Sequence, residues 1–165
     1  MLSTDAGVRA LVTAHALRLL GQEAAPTAVD GAVRALSGGA DGSALRELAG
    51  LPASDDAELD KVLHGALDEV GVDWEGMSRD DAVIITLHRF TEQGTPARLL
   101  ADLAHALVGH AGPEIAQRLV ALSDELDDAR DDGAPEPDSE AVVDEFLHET
   151  AGVLDEWLAS HRIAV

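Results

Sequence analysis

The side chains able to do chemistry in this 165-residue chain are carboxylates and imidazoles: 32 Asp and Glu, seven His and no Cys. Lack of cysteine removes disulfides, thiolate zinc sites, iron–sulfur clusters and cysteine nucleophiles together. A metal or acid–base centre would have to be assembled from His, Asp and Glu. The spacing closest to one is Asp102-x-x-His105 and Glu145-x-x-His148. Residues three apart on a helix share a face, and di-metal bundles use two Glu-x-x-His pairs with a Glu from each of two further helices. Here Asp replaces Glu in the first pair, and the second flanks its apolar stripe. These four residues therefore make an alternative metal reading; the main reading expects no metal and no cofactor. His105 and His110 are five apart, the wrong spacing for one helical face unless a bend at Gly109 brings them together.

The remaining candidates have plainer readings. His15 falls on the apolar stripe between Leu11 and Leu19 and reads as a core histidine with one satisfied hydrogen bond. His64, one turn after Asp60, reads as half of an exposed ion pair. The acid-rich run from Asp124 to Gly133 resembles a calcium loop, but alignment on Gly133 puts Arg130 and Ser139 at ligand positions, and a cation there argues against calcium. It reads instead as a solvated acidic stretch or a docking strip. The nucleophile elbow, phosphate loop, dinucleotide fingerprint and H-E-x-x-H motifs are all missing. Trp74 and Trp157 read as packed side chains.

The elements that must carry these residues are helical throughout. Val8, Leu11, Val12, Ala16, Leu19 and Leu20 follow helical spacing after an N-cap at Ser3 or Thr4, with Gly21 as the stop. Pro26 opens a short helix to Leu36, and a turn or two surrounds Leu45 and Leu48. Asp55 with Glu58 resembles a capping box ahead of a Leu59-to-Val70 stripe closed by Gly71. Ser78 and Asp81 mark another start. The β-branched run 82–87 after them suits strand or helix, and helix is preferred because a lone strand has nothing to pair with. Thr95-Pro96 opens a helix to Leu107, Gly112-Pro113 one to Leu126, and a last helix carries Val143, Phe146, Leu147, Leu154, Trp157 and Leu158. The predicted fold is all-α, an orthogonal bundle of about seven or eight short helices. Residues 1–126 form the bundle, 127–139 an acidic linker containing Pro135 and Pro137, and 140–165 a C-terminal helix docking on the bundle.

Charge sets the expected partners. The formal net charge is −21, with a single lysine, Lys61. Nucleic acid and anionic membrane surfaces, both bound through clustered Lys and Arg, are excluded as partners. No apolar stretch approaches the ~20 residues of a membrane span, and a cytoplasmic protein is expected. With no catalytic constellation recognised, the chain reads as a non-enzymatic interaction protein: an inhibitor, immunity-like factor or adaptor. It would hold a basic protein partner through Asp124, Glu125, Asp127, Asp128, Asp131 and Asp132. A small metal-dependent enzyme built on Asp102, His105, Glu145 and His148 is the alternative, and a homodimerisation module is the third reading.

Overall fold

The structure is a computed structural model describing residues 2–52 and 56–163, with the side chains of 2–4 and 56 outside the description. The N-cap expected at Ser3 or Thr4 is corrected, since the first helix already begins at Leu2 and includes both, whereas the capping box expected at Asp55 lies outside the described residues. The chain is an all-α helical bundle, the expected class. Its helices are α1 (Leu2–Leu19), α2 (Ala25–Ser37), α3 (Ser43–Ala49), α4 (Asp56–Glu69), α5 (Arg79–Glu92), α6 (Ala97–Val108), α7 (Glu114–Asp132), α8 (Ser139–Glu149) and α9 (Val153–His161). A 3-10 turn spans Trp74–Gly76. The β-structure among the described residues is one isolated bridge, Val72 to Arg162. Residues 82–87 are helical within α5, and the start before them is a reciprocal cap: Ser78 Oγ accepts from the Asp81 amide at 3.0 Å while Asp81 accepts from the Ser78 amide at 3.1 Å.

Two compact units divide the chain, residues 1–82 with 154–165, and residues 83–153. In the first, α1 packs on α2 through small residues. A Cβ on Gly7 would stand 2.4 Å from the Ala35 amide nitrogen, so the close approach needs glycine there. Val8, Leu11, Val12 and Ala16 of the expected stripe are buried, but so are Ala14 and Leu17 off it, while Leu19 is exposed, so α1 is enclosed on nearly every side along its middle turns. The seven-residue α3 is too short to be stable alone. Glu69 at the end of α4 supplies its N-terminal partner, accepting from the Ala44 and Leu45 amides at 2.9 Å each. Burial works against that carboxylate, yet the amides and the Ser43 hydroxyl win and hold its pKa below the ordinary value.

In the second unit α6, α7 and α8 pack on one another. Leu100, Ala101 and Ala104 form the buried stripe of α6, and Ala116, Leu119, Val120, Leu122 and Ser123 that of α7. Helix α7 runs to Asp132 and stops at Gly133, whose φ of 65° makes a left-handed C-cap. Residues 127–132, expected to begin a linker, are therefore helix. The apolar stripe fades at Leu126, but Ala129 and Arg130 are good helix formers and the acids tolerate an exposed face. The expected single C-terminal helix is two, α8 and α9, parted at Thr150, Ala151 and Gly152. Thr150 is buried; its hydroxyl donates to the Phe146 carbonyl at 2.8 Å and accepts from His88 Nδ1 at 2.7 Å. Among the described residues, no helix is long and apolar enough to cross a membrane.

Candidate metal centre

The junction between α6 and α7 brings metal-ligand residues together. Helix α6 places His105 one turn beyond Asp102, next to the buried Ala104. The chain then turns at Gly109, whose φ of 56° and ψ of −143° are open to glycine and strained for other residues. Its amide closes the helix by donating to the His105 carbonyl at 2.8 Å. That reversal carries His110 back over the end of α6, so the two imidazole centroids lie 5.2 Å apart at 60°. Pro113 opens α7, where a missing amide proton costs nothing. Asp124 then lies three turns along α7, with Oδ2 3.7 Å from His110 Nε2.

His105, His110 and Asp124 each offer a ligand atom, and the three atoms lie within 4.8 Å of one another. In a tetrahedral site with bonds of ~2.1 Å, ligand atoms stand ~3.4 Å apart, so the three side chains would have to draw closer together to close on one ion. Two imidazoles and one carboxylate suit Zn²⁺ and neighbouring divalent transition metals. Three protein ligands leave at least one position for water or substrate, the pattern of catalytic sites as opposed to closed structural ones. The expectation that the chain is not an enzyme rested on finding no such constellation, and this cluster corrects it.

The residues singled out from sequence are distributed differently. Of the four in the alternative metal set, His105 alone joins the cluster. Asp102 accepts from Arg98 Nε at 2.9 Å and from Ser123 Oγ at 2.8 Å, and Glu145 pairs with Arg118 on α7. His148 is exposed on α8. Of the six acids assigned to a basic partner, all lie on α7: Asp124 is in the cluster, Asp127 accepts from Arg98 Nη2 at 2.5 Å, and Glu125, Asp128, Asp131 and Asp132 are exposed. The Arg98 guanidinium, helped by Arg130 and His105, holds the Asp127 carboxyl below its ordinary pKa. Sequence reasoning noticed His105 with His110 and the bend at Gly109. It missed Asp124, because a carboxylate fourteen residues away on another helix leaves no local spacing signal.

A second imidazole cluster lies in the first unit. His15 is buried, as expected, and its Nε2 lies 3.2 Å from the Trp74 carbonyl, which makes that nitrogen the donor and leaves Nδ1 buried without a partner. His64 stacks on Trp74 at 3.7 Å between centroids and meets the edge of His15 at 5.2 Å. Asp60, expected to pair with His64, is instead gripped by Arg18, with 2.6 Å from Nε to Oδ1. Trp74 is half-buried, its indole donating to Asp68 at 2.9 Å, whereas Trp157 is buried. Compared with known proteins, the chain matches no family model, no curated protein and no solved structure.

Proposed function

We propose that this chain is a small metal-dependent helical enzyme whose centre is His105, His110 and Asp124, binding one divalent transition metal with Zn²⁺ the leading occupant. The observation that carries the reading is the convergence of three ligand atoms from α6, the Gly109 turn and α7 within 4.8 Å. A metal so held would supply Lewis acidity and an acidified water for hydrolysis. The protein's part is to present two neutral imidazoles and one carboxylate from one side, leaving the solvent side for substrate. Asp124 would offset part of the metal's charge, while Asp127 and Asp102 are both tied to Arg98.

The test is titration of the full chain with Co²⁺ and Zn²⁺, read by visible absorption and calorimetry, followed by hydrolysis of an activated carboxylic ester by the Zn²⁺-loaded protein. One metal per chain, lost in His110→Ala and in Asp124→Asn, together with metal-dependent ester cleavage, is the expected result. Absence of stoichiometric binding, or binding indifferent to both substitutions, overturns the assignment. The basic protein partner remains a separate proposal, supported by the exposed Glu125, Asp128, Asp131 and Asp132 on one helix.

A further inference from the structure

The three ligands sit beside a polar relay that the metal reading does not itself require. Ser123, buried on the inner stripe of α7, donates to one oxygen of Asp102 on α6 at 2.8 Å. The other oxygen of Asp102 accepts from Arg98 Nε at 2.9 Å, and Arg98 Nη2 reaches across to Asp127 on α7 at 2.5 Å. Three of its four members are placed by number beside a ligand. Asp102 is one turn before His105 on the same face of α6, Ser123 immediately precedes Asp124, and Asp127 follows Asp124 by one turn. The relay thus crosses from α7 to α6 at Ser123 and back from α6 to α7 at Asp127, with Asp124 between the two crossings. Sliding α7 along α6 by a residue, ~1.5 Å, would break both crossings and carry Asp124 away from His105.

We propose that Ser123, Asp102, Arg98 and Asp127 form the positioning clamp of the metal centre, fixing the register of α7 against α6 so that Asp124 is held ready for a metal bound by His105 and His110. This inference rests on the metal reading of the preceding section. None of the four need touch the metal; they act through the ligands, as outer partners do when they restrict where a ligating group can point. Arginine suits the role because its planar fork serves two carboxylates at once, which a lysine ammonium cannot do in the same geometry. Ser123 matters as the buried anchor: exposed ion pairs alone hold a register weakly, whereas a buried hydroxyl needs its acceptor.

Two charge-conserving variants test the clamp without altering the field at the metal: Ser123→Ala and Arg98→Lys. Each is titrated with Co²⁺ and Zn²⁺ as the full chain, and the metal-free forms are checked by circular dichroism and thermal melting. The expected result is about a tenfold loss of metal affinity in each, the lower end of the usual range for outer-partner changes. An altered Co²⁺ absorption band should accompany it, while metal-free Arg98→Lys, a change at a half-exposed side chain, keeps its helix content. Wild-type affinity and an unchanged band in both variants overturn the clamp while leaving the metal centre standing. Failure of the wild-type chain to bind either metal overturns the centre and the clamp with it.

Discussion

At the residue scale, His15 ties the fold to pH. Burial, reinforced by the neighbouring His64, pushes its pKa down from 6.5 to about 4, against the pull of the Trp74 carbonyl and Asp60. The folded state therefore holds His15 neutral while the unfolded chain takes up a proton below pH 6.5. Stability from this residue is fully present above pH 6.5 and is lost as pH falls toward 4, a total of roughly 3 kcal/mol at ~1.4 kcal/mol per pH unit. His64, also shifted down by burial, adds in the same direction. Urea unfolding at pH 7 and pH 5 should show a loss in the wild type that shrinks in His15→Leu. Equal losses in the two proteins would show that His15 does not titrate across folding.

The Gly109 turn is the feature of greatest consequence at the element scale. Its positive φ sets the direction in which His110 leaves α6, so the same backbone that ends the helix brings His110 to His105. Gly109→Ala should cost about 1–3 kcal/mol in backbone strain and weaken Co²⁺ binding. Gly133→Ala is the matched control: Gly133 has φ of 65° at the far end of α7, with open space around it. It should lower the melting temperature but leave metal affinity intact. Equal effects of the two changes on binding would mean that the turn only stabilises the unit. Glu69 illustrates the same point in the first unit, where the N-terminus of α3 is satisfied by a side chain twenty-five residues away from Ala44.

For the whole molecule, the charge of −21 sets the terms on which any cation approaches. The field raises the local concentration of divalent metal and of cationic ligands, and salt screens it over ~10 Å at 0.1 M. Zn²⁺ or Co²⁺ affinity should therefore fall between about 20 mM and about 500 mM sodium chloride, while thermal stability of the metal-free chain rises as self-repulsion is screened. Affinity independent of salt would confine the electrostatics to the three ligands and their immediate neighbours. A basic protein captured at low salt and released at high salt would obey the same field, and loss of capture on neutralising Asp128, Asp131 and Asp132 would place it on α7.

What the sequence by itself determined follows from local rules. Helical periodicity located α1, α4 and α6, and cap chemistry the Ser78–Asp81 start of α5, because apolar spacing and capping act over a few residues. Helical spacing alone set His105 and His110 apart, and their approach depended on a bend at Gly109, which the structure contains. The length of α7 was not legible, since the acids after Leu126 bear no apolar stripe and the helix nevertheless continues to Asp132, with Gly133 as its cap. Only the tertiary structure decided that Asp124 joins the His105–His110 cluster, that Asp102 serves Arg98 and Ser123, and that Glu145 faces Arg118. Those partnerships depend on how helices are packed and registered, and packing sums weak contacts between residues far apart in the chain, which no local spacing records.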